Sequence, residues 1–203
     1  RAARLGAVRR RRRAAGRLRR FAVVSGSTRR AGRVIIPAMT LAELGPGPRR
    51  FLEALDLATR QAGAVGARLQ GRVENVGKGG ASPEAEAVTA VDLAAQDILL
   101  EALHRAWPEV AVDAEEDTAT VELFAGSGEA LVVLDPIDGT ASYLSGSDDW
   151  AVMAGLIEAG RFTAALLYYP ALDRTLFAAE RIGAFLRKGR GLFERAFDPT
   201  GLP

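Results

Sequence analysis

The chain has 203 residues, 48% of them hydrophobic, and no cysteine. That length buries a core in one domain, or one domain and part of another, while the missing cysteine excludes a disulfide framework and thiolate metal centres, as suits a reducing compartment. The formal charge of +2 conceals a segregation: residues 1–33 hold thirteen arginines and no acid, and without them fourteen basic residues face twenty-five acidic ones, a net of −11. In chain order, this arm comes first. An Arg-rich, acid-poor arm suits nucleic acid, an anionic surface or a transit peptide, and any polyanion binding by it should weaken steeply with salt. It carries no groove-reading motif and no interleaved aromatic residue beyond Phe21. The first methionine is Met39, so residues 1–38 read as a disordered arm outside the native coding sequence, and residues 39–203 as the folded body. Nucleic acid is expected as a partner only through the arm. No apolar run is long enough to cross a bilayer and no secretory signal opens the chain, so a cytoplasmic protein without membrane contact is expected.

Met39 to Pro48 ends in Gly-Pro-Gly-Pro and reads as a linker. Phe51, Leu55, Ala58, Ala62, Val65 and Leu69 then recur at steps of four and three, predicting an amphipathic helix with one buried stripe. Gly71 to Glu86 is a Gly-rich polar loop containing Lys78. A second helix is predicted from Val88, with Val91, Ala95, Ile98 and Ala102 on its apolar face and Thr89 with Asp92 as a capping box. It stops before Pro108. His104, the only histidine, reads as a surface residue in the last turn. With no cysteine and no partner for that histidine, Ser/His and Cys/His hydrolase chemistries lack support.

A short strand, Val110-Ala111-Val112, leads into the acidic cluster Asp113-Ala114-Glu115-Glu116-Asp117, followed by a polar insert to Glu129. Next, the apolar run Leu131 to Leu134 delivers Asp135-Pro136-Ile137-Asp138-Gly139-Thr140 at its carboxyl end. Pro136 stiffens the backbone between two carboxylates, and Gly139 permits a close backbone approach. Alone, Asp-Pro-x-Asp-Gly is an ordinary solvent turn. Two strand ends that both carry carboxylates are more informative, since a hard divalent cation beside a phosphoryl group needs such walls. Trp150–Ile157, Phe162–Tyr169 and Thr175–Ala179 are apolar runs parted by turn residues, predicting an antiparallel meander.

The Glu-Glu pair, the apolar strand and Asp-Pro-Ile-Asp-Gly-Thr, with Val88-Thr89-x-x-Asp92 before them and Gly183-Ala184-Phe185 after, resemble the inositol monophosphatase family of Mg-dependent, lithium-sensitive phosphatases. The resemblance runs from about Phe51 to Phe185. It implies an α+β, layered sugar-phosphatase-type fold with two N-terminal helices packed on an antiparallel sheet. It implies hydrolysis of a small phosphate monoester by metal-activated water, and a homodimer for the whole protein. By the same resemblance Mg²⁺ would be held by Glu115, Asp135, the Ile137 carbonyl and Asp138. Glu115 and Thr140 would orient the water with support from Asp92. Glu115, Ile137, Asp138, Gly139 and Thr140 would line the substrate, and Lys78 would approach it from the loop. Ala114, where the family usually has glycine, is a tolerable departure. The expected substrate is a monoester of the inositol monophosphate type; Ser142-Tyr143 and the stretch Gly146 to Trp150 depart from the family pattern and keep histidinol phosphate, a 3′-phosphonucleotide or a sugar bisphosphate as alternatives. No Trp-Asp-x-Ala-Ala motif follows, so the chain reads as a fragment: its C-terminal half missing, apolar sheet surface uncovered, and hydrolysis by it alone close to nil. The alternative is an anion- or nucleic-acid-binding protein working through the arm, with the acidic site vestigial.

Overall fold

The computed structural model describes residues 38–72, 83–116, 118–124 and 129–197. Residues 1–37 of the arginine arm, the expectations placed on them, and Lys78 lie outside those residues; Ala38, at the end of the arm, forms an antiparallel bridge to Glu194. Two helices, α1 (Pro46–Leu69) and α2 (Pro83–Ala106), pack on each other and on one face of a seven-stranded sheet. The strands are β1 (Ala111–Ala114), β2 (Ala130–Asp138), β3 (Ala151–Glu158), β4 (Arg161–Tyr169), β5 (Arg174–Ala179), β6 (Gly183–Lys188) and β7 (Glu194–Phe197). They lie side by side in sequence order. From β2 to β7 every pairing is antiparallel, as the alternating apolar runs and turns require, whereas β1 pairs with β2 in parallel. This is the α+β layered architecture expected, with one parallel pair at its edge; β7 was not foreseen.

The helix starts differ from the sequence reading. Gly-Pro-Gly-Pro is the first turn of α1, with Gly45 at the N-cap and Pro46 at the first helical position. Proline fits there because its missing N–H would have had no intrahelical acceptor. Gly47 belongs there for another reason: a Cβ on it would collide with the carboxylate of Glu158 from β3. An anion at a helix amino end meets unsatisfied N–H groups and the positive end of the helix dipole. The expected stripe then holds, with Phe51, Leu55, Ala58 and Ala62 buried and Val65 and Leu69 half-buried.

Helix α2 begins at Pro83, five residues before the expected start. Thr89 is therefore inside the helix, and the capping-box reading of Thr89 with Asp92 is corrected. The buried face is also rotated: Val91, Ala95, Leu99 and Leu103 are buried, together with Asp92, Gln96 and Leu100, while Ile98 and Ala102 are only half-buried. His104 is exposed in the last turn, its ring edge-on to Phe124 at 5.9 Å.

The other sheet face is apolar as well. In register across it run Val133, Gly155, Ala165, Ala178 and Ala184, and beside them Asp135, Met153, Leu167, Leu176 and Leu186. Among the described residues no helix covers this face, and Phe162 on it is 65% exposed. A groove of about 250 Å³ there is lined by Val133, Met153, Phe162 and Leu167, with Asp135 at its edge.

Candidate metal-dependent phosphatase site

Parallel pairing brings the two acidic strand ends to the same end of the sheet. Ala114 is in register with Leu134, and the last ladder bond runs from Glu115 N–H to the Leu134 carbonyl at 3.1 Å. Glu115 therefore leaves β1 beside Asp135. The two acids are adjacent neighbours and not the opposite walls of a cleft.

Beyond Asp135 the backbone is tightly organised. Ile137 N–H donates to Asp135 Oδ1 at 3.1 Å, and the Thr140 hydroxyl donates to the Ile137 carbonyl at 3.3 Å. Gly139 has φ 91°, a left-handed conformation, and a Cβ there would stand 2.8 Å from the Asp149 carbonyl oxygen. Only glycine meets both demands without strain. The short helix α3 (Thr140–Leu144) follows at once, so Gly139 and Thr140 form the corner between strand and helix.

The electrostatics are those of crowded acids. Asp135 is pushed up to about 7, first by burial, then by hydrogen bonding to Glu115 and the negative charges of Glu115 and Asp138, against the stabilising Ile137 N–H. Asp92 is also pushed up to about 7, by burial first and then by the charges of Glu116 and Glu115. The neighbouring glutamates thus divide their attention: Glu115 acts most strongly on Asp135, Glu116 on Asp92. Sequence reasoning placed Glu116 in the acidic cluster without a role. Among the described residues no ion pair joins any of these five acids to an arginine or lysine.

Helix α1 supports the corner from behind. The Tyr143 hydroxyl donates to the Gly66 carbonyl at 2.9 Å, and Gln70 Nε2 donates to the carbonyls of Tyr143 and Ser147 at 3.1 and 2.8 Å. Tyr143 and Trp150 are both buried, edge-to-face at 5.1 Å. Burial, with the charge of Asp92, raises Tyr143 to about 12, so its hydroxyl stays protonated as a donor. The departures Tyr143 and Trp150, expected to bear on substrate choice, are therefore packed beneath the site.

The sequence model of the inositol monophosphatase family matches residues 49–196. The chain belongs to the inositol monophosphatase family. Among relatives, the fructose-1,6-bisphosphatase/inositol-1-monophosphatase of Thermotoga maritima is 30% identical over 142 residues, covering 68% of this chain and 52% of that protein. The histidinol-phosphatase of Streptomyces coelicolor is 35% identical over 147 residues, covering 70% of this chain and 53% of that one. Among solved structures, the Thermotoga maritima IMPase superposes with a TM-score of 0.53 at 27% identity, covering 68% of this chain and 52% of that one. The chain spans about half the length of the curated relatives it matches.

As a metal-binding set for an inositol monophosphatase family member, these residues fit by chemistry. All the donors are carboxylate or carbonyl oxygens, which suit a hard divalent cation, and two of the carboxyls carry repulsion that a cation would relieve. They do not form a ready-made cage: among the described residues no three acids stand in metal-ligating geometry. Among the described residues, too, no helix is long and apolar enough to cross a membrane.

Proposed function

We propose that this end of the sheet is the metal half of a phosphatase site, which hydrolyses a small phosphate monoester with a water activated by Mg²⁺. The observation that carries the proposal is the pairing of Glu115 and Asp135 at adjacent ends of parallel strands, crowded by Asp92, Glu116 and Asp138 and, among the described residues, joined in no ion pair to a base. Glu115, Asp135, Asp138 and the Ile137 carbonyl would hold the ion. Bound there, Mg²⁺ supplies a more acidic water and balances charge on the attacking and leaving oxygens.

The chain's own groups do the rest. Glu115, exposed at the strand end, accepts a proton from the water and aims it. Thr140, whose hydroxyl now bonds the Ile137 carbonyl, is one hydrogen bond away from sharing that water. Asp92, whose carboxyl feels the charges of Glu116 and Glu115, would support Thr140 or a further ion through water. Gly139 and Thr140 N–H groups would receive the phosphate at the corner between strand and helix. No protein nucleophile is required.

Ion binding is assigned to this chain by itself, and efficient turnover to a protein of the relatives' length. Calorimetric titration of the full chain with Mg²⁺ should show binding that Asp135→Asn removes. Phosphate release should be slow, Mg²⁺-dependent and lost in the same variant. The panel should include inositol 1-phosphate, fructose 1,6-bisphosphate, histidinol phosphate and a 3′-phosphonucleotide. Release that is equal with and without Mg²⁺, or unaltered in Asp135→Asn, would sink the proposal.

A further inference from the structure

Gln96 is fully buried on α2, one turn after Asp92 and on the same face. Its amide closes a reciprocal pair with the backbone of Glu116: Nε2 donates to the Glu116 carbonyl at 2.7 Å, and Glu116 N–H donates to Oε1 at 3.0 Å. Nε2 also reaches the Thr118 hydroxyl at 3.4 Å. A buried glutamine whose only task was to fill the core would be replaceable by leucine, and burying its amide would be costly without partners. Here the partners lie at one particular place. The β1–β2 ladder makes its last bond at Glu115 N–H, and the very next peptide is the one that Gln96 takes over.

We infer that Gln96 is a positioning residue for the metal site: it continues the sheet's hydrogen bonding from α2 and thereby fixes Glu115, between Asp92 and Asp135, in the orientation that a cation needs. The inference rests on the phosphatase reading of the site and adds to it a residue that touches neither ion nor substrate. The logic is that of outer-shell partners generally. Repulsion among four or five acids would turn the Glu115-Glu116 segment outward once the strand ends, and two backbone hydrogen bonds in a dry environment oppose that displacement.

The test uses the full chain, with Mg²⁺ alone as the probe. Gln96→Met keeps length and volume and removes both hydrogen-bonding ends. Its Mg²⁺ dissociation constant should rise about 10- to 100-fold, the range usual for loss of such partners. Thr118→Val, which deletes only the longest of the three bonds, should stay within about threefold of wild type, set against the same scale. A merely structural role would shift the urea midpoint of Gln96→Met and leave Mg²⁺ affinity of the folded fraction unchanged, and that result overturns the inference. If Gln96→Met does not fold, hydrogen exchange in the wild-type chain decides. The Glu116 amide should be protected to the same order as the amides of β1, and exchange at the rate of an exposed turn overturns the inference. Wild type that binds no Mg²⁺ refutes the site reading itself, an outcome distinct from a wild type that binds and a variant that binds equally well.

Discussion

Raising the pH from about 4 to about 7 without divalent cations should destabilise the folded body, and Mg²⁺ should return most of the loss. Asp92 and Asp135 have folded-state values near 7 against an ordinary 3.8. The folded state therefore binds more protons than the unfolded one between those limits, and stability must fall as pH rises through that window. Below about 4 both states hold the protons and nothing is lost; above about 7 the penalty is complete. At about 1.4 kcal/mol per unit, each shift has a ceiling of roughly 4 kcal/mol. The two groups share the repulsion of Glu115, and Asp135 is partly solvated, so about 2–4 kcal/mol for both together is the expected size. Asparagine carries no such penalty. Asp92→Asn and Asp135→Asn should each be more stable than wild type at pH 8 in the absence of metal, and equal to it near pH 4. Asp135→Asn should at the same time lose the rise in melting temperature that Mg²⁺ gives wild type by mass action. Urea titrations across pH, with and without Mg²⁺, check this; a wild-type advantage over both variants at pH 8 without metal would remove the crowding argument.

Asp56→Ala should cost about 3 kcal/mol of stability, because it strands a buried cation. Arg187 is 8% exposed, and both of its terminal nitrogens reach the Asp56 carboxylate from β6 to α1. One of them also donates to the Thr175 hydroxyl at 3.1 Å, and the guanidinium lies 4.4 Å from the Phe193 ring centroid. Its Nε is buried without a hydrogen-bond partner, so the pair is already imperfectly satisfied. Removing both charges is a different experiment from removing one. Asp56→Leu with Arg187→Met should recover most of the loss, since well-packed apolar side chains commonly match a buried ion pair. Chemical denaturation of the two variants measures both quantities. A cost under about 1 kcal/mol for Asp56→Ala would mean that the pair is effectively solvated, as surface pairs are.

What the sequence disclosed, and what it hid, follow from the range of the forces involved. The stripe on α1, the strands β3 to β5 and the strand carrying Asp135 are local patterns of apolar spacing, and they were legible, as was the motif that marks the family, which alone pointed to β6. The start of α1 was not. Gly-Pro-Gly-Pro is linker chemistry until Glu158, more than a hundred residues away, is placed against Gly47. Nor could spacing distinguish Leu99 from Ile98 as the buried position, because the choice depends on how α2 is rotated against β2. The capping-box reading failed for a related reason: Thr89 and Asp92 have the right separation for a cap, yet the helix was already under way from Pro83. At the site, Glu115, Asp135 and Asp138 were visible as acids after strands. Glu116 had no assigned partner and Gln96 no assigned role, since their signal is a contact between α2 and the end of β1. One cue existed: Gln96 is a polar residue four positions after Asp92, on the face that buries Val91 and Leu99.

The order of the strands sets an order of assembly. Each strand from β3 to β7 lies beside its sequence neighbour, so closing each of those pairs orders only a short loop, such as the tight turn at Ala159 and Gly160 between β3 and β4. Helix α1 is the long-range element: Arg60 donates to the Gly189 carbonyl across 129 positions, and Tyr143 reaches back to Gly66 across 77. Contacts at such separation reward the chain only after the entropy of a large loop has been overcome. The meander should therefore form early and α1 dock late, which makes the backing of the Asp138-Gly139-Thr140 corner among the last parts to be secured. Pulse-labelled hydrogen exchange during refolding would see β3 to β6 amides protected before those of α1, and the reverse sequence would show that the helices, not the sheet, nucleate the fold.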